Sequence, residues 1–271
     1  MKKIIILILT LFLISCANNN PNGYDVIEEN VTDTNITEEI IDTSLQVVAD
    51  ELNVFAFSSE GQCLLIVTET NETYLIDCGQ SNYLTTIKKI KNLGYSKLDN
   101  IVITNPSLLD TQFIDKMVLK FKPTMIYETG IPNSNERYKT FNFSKTEVVT
   151  EELIFDGFEL IPTYLKGFYP SPEDNSIIIN FEDMIVMSRC LDTCENFVTK
   201  TQKDILYLAN YGVCLTNTID FILEIDPKEI ISKTDVCLDL QEDLELLEIP
   251  INKYSENDLQ IILGENYEIR K

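Results

Sequence analysis

The chain has 271 residues, 44% of them apolar, and a formal net charge of −23 with no histidine at all. That composition supports a folded body of ordinary size. The charge disfavours direct binding to DNA or RNA, because nucleic-acid affinity comes chiefly from cationic side chains that displace counterions, and the missing imidazole removes the commonest general base and metal ligand.

Lys2 and Lys3 precede an apolar run from Ile4 to Ile14, followed by Ser15 and Cys16. This is the pattern of a short secretory signal over residues 1–15, and the run is shorter than the roughly 20 apolar residues a bilayer span needs. Leu13-Ile14-Ser15-Cys16 resembles the lipobox of bacterial lipoproteins. The resemblance implies that Cys16 becomes the lipid-modified first residue of an exported chain, anchored to a membrane on the extracytoplasmic side of the cell envelope without spanning it. Residues 16–51 are rich in Asn, Thr, Asp and Glu, with no Lys or Arg between Lys3 and Lys88, and read as a disordered acidic tether. Within it, Glu38 to Val48 alternates acids with apolar residues in the manner of a transient helix. The N-x-[ST] triplets at Asn30, Asn35, Asn71 and Asn142 are glycosylation acceptors only in a host that glycosylates.

The body, residues 52–271, opens with three short apolar runs separated by polar turns: Val54 to Phe57, Leu64 to Val67 and Tyr74 to Asp77. They predict a β-meander. Leu84, Ile87, Ile90 and Leu93 recur at three-residue steps before Gly94 and predict an amphipathic helix over 81–93. A buried strand at Asn100 to Thr104 and a second helix at Thr111 to Phe121 follow. The second half repeats the scheme, with strands within Ile154 to Tyr164, Asn175 to Ser188 and Asp204 to Asn210, a helix at Thr218 to Ile225 and a strand at Glu229 to Ser232. Two β-rich halves, each flanked by helices, predict an α/β four-layer αββα sandwich.

Seven cysteines are present; with Cys16 assigned to the lipid, Cys63, Cys78, Cys190, Cys194, Cys214 and Cys237 allow up to three disulfides in an oxidising compartment. A hairpin tip at Thr70 and Asn71 would set Cys63 opposite Cys78, within reach of a cross-strand bridge. A pair of small, buried, reduced cysteines fits the same pattern.

Leu75-Ile76-Asp77-Cys78-Gly79 matches the L-I-D-x-G turn, and Leu93 to Asp99 the L-G-x-x-x-I-D segment, of the metallo-β-lactamase superfamily, in particular the hydrolase domain of ComEC-type competence proteins. Asn175-Ser176-Ile177-Ile178 and Phe221 to Lys228 also resemble that family, and the resemblance covers roughly Leu52 to Ile269. It implies the four-layer αββα fold. In active relatives the strand ending here at Thr104 runs into T-H-x-H-x-D-H, whose side chains hold catalytic metal. This chain has Asn105 and Ser107 at the first two histidine positions, Asp110 as the counterpart of the aspartate, and Thr111 at the last histidine. Cys190 stands for the metal-bridging aspartate, and Asn210 and Tyr211 stand for the later histidine pair.

A family-type metal site therefore cannot assemble, and fold alone does not carry the hydrolase activity over. The expected role is that of a degenerate, non-catalytic domain without a cofactor, which binds or assembles with an envelope protein or a small ligand, one of neutral or sugar-like character included. The alternative is a divergent hydrolase or phosphodiesterase with zinc or another divalent metal rebuilt on Asp77, Asp110 and Cys190, a thiolate and carboxylate set suited to a borderline metal. Cys190 or Ser107 as a nucleophile lacks a recognisable base, and a purely structural envelope protein is a third possibility.

Overall fold

A computed structural model of the chain describes residues 45–58, 61–131, 145–163, 176–187, 192–198, 201–213 and 216–271, with the backbone alone for residues 108, 109, 192, 193, 210 and 211. Three apolar clusters organise the body, and they follow from strands buried on both faces. The meander consists of β1 (Leu52–Ala56), β2 (Cys63–Val67) and β3 (Thr73–Asp77), all of whose residues are buried. Val54, Leu64, Ile66, Tyr74 and Ile76 point to one cluster, whereas Phe55, Leu65, Val67 and Leu75 point to another. This is the two-residue side-chain period of a strand, with an apolar residue required at every position.

The first sheet continues through β4 (Asn100–Ile103), β5 (Met125–Glu128) and β6 (Thr146–Val148), and through the C-terminal strands β14 (Leu259–Leu263) and β15 (Glu268–Arg270), in the order β15-β14-β1-β2-β3-β4-β5-β6. The second sheet contains β7 (Leu153–Ile154), β8 (Phe158–Pro162), β9 (Ile177–Phe181), β10 (Met184–Val186), β11 (Ile205–Tyr207), β12 (Glu229–Ser232) and β13 (Ile251–Lys253), in the order β13-β12-β11-β10-β9-β8-β7. Ile177, Ile179, Val186, Ile205, Tyr207 and Ile231 join the inner faces of the two sheets in one cluster. Helices α1 (Tyr83–Asn92) and α3 (Ile114–Phe121) cover the outer face of the first sheet with Ile87, Ile90, Met117 and Phe121. Helices α4 (Ile219–Ile225) and α5 (Leu238–Leu246) cover the second with Phe221, Ile222, Leu240 and Leu244. The result is the αββα sandwich.

Several predicted details differ. The predicted pairing of Cys63 with Cys78 is off by one: Val67 pairs with Thr73 and Cys63 with Asp77. The Thr68 N–H bonds the Glu72 carbonyl (3.0 Å) and Asn71 takes a left-handed φ of 65°, so the tip spends one residue more than a two-residue turn. Cys63 and Cys78 nevertheless form a disulfide, with Cα atoms 4.3 Å apart. Asp77 (φ 60°) and Cys78 (φ 69°) are both left-handed, which swings the Cys78 side chain round to the face that Cys63 occupies. Cys194 and Cys237 are also each disulfide-bonded.

Leu84, predicted on the apolar stripe of α1, is 59% exposed, and Thr86 is buried instead. The predicted helix from Thr111 divides into a short turn, α2 (Leu108–Thr111), and α3, because the Phe113 N–H is drawn off to the Gly79 carbonyl (2.6 Å). The strand predicted to Asn210 ends at Tyr207 and gives way to a 3-10 turn over Ala209–Gly212. Residues 45–51, assigned to the tether, are packed: Leu45 joins the outer cluster, and the Asn53 amide bonds both the N–H (3.0 Å) and carbonyl (2.9 Å) of Val48. Among the described residues no helix is long and apolar enough to cross a membrane; Cys16 and the segment before it lie outside the described residues.

The Cys63–Cys78 bond closes a loop of 15 residues. Replacing both cysteines with alanine is expected to lower unfolding stability by about 3 kcal/mol, the chain-entropy value for a loop of that length, measured as a lower urea midpoint with little change in the native circular dichroism spectrum.

Candidate functional site

The C-terminal ends of β3 and β4 meet at a buried carboxylate. Asp77 is fully enclosed, and its Oδ1 accepts the Thr104 N–H (2.8 Å) while its Oδ2 accepts the Thr104 hydroxyl (2.7 Å). Two buried donors are thus satisfied by one side chain. Because Asp77 pins one strand end to the next, the left-handed pair Asp77-Cys78 is held open and Gly79 is pressed against the following loop. The Gly79 N–H donates to the Asp110 carbonyl (3.0 Å). A Cβ on residue 79 would lie 2.3 Å from that oxygen, so only glycine fits.

Asn105, Ser107, Asp110 and Thr111 lie together in the loop after β4 and are bonded to one another. The Ser107 N–H donates to Asn105 Oδ1 (2.9 Å), the Ser107 hydroxyl to Asp110 Oδ2 (2.7 Å) and the Thr111 hydroxyl to the Ser107 carbonyl (2.7 Å). Gln80 Nε2 reaches Asp110 Oδ1 (3.3 Å) and the Gln62 carbonyl (3.0 Å). Asn105, Asp110 and Thr111 are buried, and Ser107 keeps partial exposure.

The second sheet contributes at the same place. The Ile177 N–H at the start of β9 donates to the Thr104 carbonyl (2.9 Å). Lys233, just past β12 and only 7% exposed, donates to the carbonyl of Gly61. Gly61 has a φ of +73°, and Gln80 fills the space its side chain would need. Behind Lys233, the 3-10 turn Ala209–Gly212 is held by Asn217, whose Oδ1 accepts the Ala209 N–H (2.8 Å) and whose Nδ2 donates to the Ala209 and Val213 carbonyls (3.0 Å each). Asp77, Asn105, Ser107, Asp110 and Thr111 are therefore gathered as a set. Cys190 and Cys214 lie outside the described residues, as do the side chains of Asn210 and Tyr211.

Gln80, Lys233 and Asn217 were not singled out from the sequence. Gln80 was findable, lying directly after the L-I-D-x-G turn; Lys233 was not, because nothing local marks a lysine that bonds a backbone 172 residues away. Gln62 Nε2 and Ser176 Oγ are buried side-chain atoms without a hydrogen-bond partner among the described residues. Each such orphan costs about 1–3 kcal/mol. One follows Gly61 and the other precedes Ile177, so both border this polar end. Among the described residues, no three Cys, Asp or Glu side chains are grouped as a metal site.

No protein-family model matches the chain, and no curated protein matches it. Solved structures do. A diphosphatase from the PhnP family superposes with a TM-score of 0.53 at 15% identity, over 78% of this chain and 98% of that one. Tm1679, a metal-dependent hydrolase of the β-lactamase superfamily, gives 0.54 at 10% identity, over 77% and 98%. A single-site mutant of the CmlA β-hydroxylase gives 0.52 at 11% identity over 80% of this chain, which spans only 55% of the hydroxylase. Identities this low establish the architecture, and the fold is of metallo-β-lactamase type.

Asp77→Ala is expected to strip two buried donors of their acceptor and to place alanine at a left-handed φ, lowering stability by about 3–5 kcal/mol. Asp77→Asn, which keeps an acceptor and tolerates that φ, is expected to lose about half as much. Urea midpoints at neutral pH measure both, and equal losses would contradict the clamp.

Proposed function

We propose that the chain is an exported, lipid-anchored protein on the extracytoplasmic side of a membrane, with Cys16 as the attachment point and a body that binds or assembles with a partner instead of hydrolysing a substrate. The observation that carries this reading is the state of the carboxylates in a chain without histidine. Both oxygens of Asp77 accept from Thr104, and those of Asp110 accept from Ser107 and Gln80. Zinc in hydrolytic sites takes nitrogen, sulfur or oxygen donors at about 2.0–2.3 Å with one position open to water. Each carboxylate oxygen keeps a second lone pair beside its hydrogen bond, so these bonds fix the carboxylates in place without excluding a metal, and what the chain lacks is the imidazole nitrogen of the family's ligand set. The donor set fits a hydrogen-bonded polar cluster better than a metal centre.

The domain scheme proposed with this function is a signal over 1–15, a lipidated acidic tether after Cys16, and a degenerate body that includes the packed residues from Leu45 onward. A second reading is favoured by one finding: two structures of the same fold are described as a diphosphatase and a metal-dependent hydrolase. It makes the chain a divergent hydrolase or phosphodiesterase with a divalent ion on Asp77, Asp110 and Cys190.

Elemental analysis of the full chain, purified without chelator or metal-affinity tag, distinguishes the two. The expected result is far less than one zinc, manganese or iron per chain; a stoichiometric metal lost in Cys190→Ser would sink the non-catalytic reading. Separately, Cys16→Ser is expected to move the protein from the membrane to the soluble fraction and to remove the mass of a diacylglyceryl group from the mature chain.

A further inference from the structure

The second sheet ends at β13, which has β12 on one side only. The Ile230 N–H bonds the Pro250 carbonyl (2.9 Å), so Pro250 and Asn252 face β12, and by alternation the N–H and C=O of Ile251 and Lys253 face outward. Among the described residues no backbone partner meets them. Alongside this edge lies a concavity of about 270 Å3, floored by Val236, Ile249, Pro250 and Ile251 and rimmed by Glu245 and Lys253.

Helix α5 forms the wall. Leu240 and Leu244 are buried beneath it, whereas Leu238, Gln241, Glu242 and Glu245 fall at i, i+3, i+4 and i+7 and share the other face. Leu238 is 69% exposed on that face. The helix carries Asp239, Glu242, Asp243 and Glu245 and no Lys or Arg. Edge strands usually protect themselves with a lysine, but Lys253 is paired with Asp235 and so does not set an unbalanced positive charge against an incoming cation.

We propose that the β13 edge and the outer face of α5 form a docking groove for an extended basic segment of a partner protein, which adds a strand to the second sheet. Main-chain bonds to Ile251 and Lys253 give affinity, an apolar side chain enters the concavity, and Lys or Arg two residues along meets Glu242 and Glu245. Charge selects the occupant. A second copy of this chain carries −23 and the same acidic wall, and the chain's own N-terminal stretch from residue 4 to residue 87 has no Lys or Arg to offer. The proposal rests on the reading of the chain as a binding or assembly protein and specifies its partner.

The test uses the full chain and a fluorescein-labelled, capped peptide of about nine residues in which threonine alternates with valine and lysine in turn, so that valine and lysine fall two residues apart on one face of the strand. Fluorescence anisotropy is expected to show saturable binding that weakens with added salt. N-methylating the peptide amides on one edge is expected to weaken it at least about fivefold per hydrogen bond removed. Glu245→Lys, an exposed change whose fold is checked by circular dichroism, is expected to weaken it about tenfold, and hydrogen exchange to slow at residues 251–253. No saturable binding, equal affinity for both N-methylated edges, or indifference to Glu245→Lys overturns the proposal. So does self-association of the chain, by sedimentation, that Glu245→Lys abolishes. Stoichiometric metal with peptide binding intact would instead remove the non-catalytic reading and leave the groove in place.

Discussion

One carboxylate sets the geometry of the polar end. Asp77 ties β3 to a residue 27 positions further along. Because it does so from a left-handed backbone, the next three residues have no freedom left: Cys78 turns to the Cys63 face, Gly79 abuts the Asp110 carbonyl, and Gln80 reaches across to both Gln62 and Asp110. A disulfide, a glycine contact and an amide bridge thus share a single cause. Burying a carboxyl group is expensive unless its oxygens are hydrogen-bonded, and here each oxygen has a donor.

Away from that end, stability comes from apolar layers. The inner cluster between the sheets contains Tyr74 and Phe158 with ring centroids 4.9 Å apart, and Phe155 stacks on Phe158 at 5.1 Å. Interlocked aromatics of this kind hold two sheets in a fixed relation. Among the described residues, two of the unsatisfied buried side-chain atoms, at Gln62 and Ser176, border the polar end, and others lie at Asn82, Asp115 and Gln260. At that end the two sheets are bridged by the Ile177 N–H to the Thr104 carbonyl and by Lys233 to the Gly61 carbonyl.

Much of the architecture was legible because strands buried on both faces must be apolar at every position, as in Leu64 to Val67 and Ile177 to Ile179. Register was not legible: the shift from Cys78 to Asp77 opposite Cys63 depends on Asn71 entering a left-handed conformation, which a short polar tip does not announce. Helix α5 escaped because its core face has only Leu240 and Leu244, while Leu238 and Leu246 are exposed and blur the period. In the site, Asp77 and the residues from Asn105 to Thr111 could be named from the motif alone. The bond that ties Asp110 to the neighbouring turn could not, since it depends on Gln80 arriving from there.

The neighbours of β1 carry a consequence for the order in which the protein is made. β1 lies between β2, which follows it directly, and β14, whose residues pair with it from Leu52↔Leu263 to Ala56↔Leu259. Contacts so distant in sequence form late, because loop closure comes before any pairing can reward it. Until residues 259–263 are in place, the first strand of the body keeps an open hydrogen-bonding edge. A chain arrested after Ile249 would lack β13, β14 and β15 and would miss Tyr254, Leu259, Ile261 and Leu263 from the cluster between the sheets, so both sheets would present altered edges over an incomplete interior.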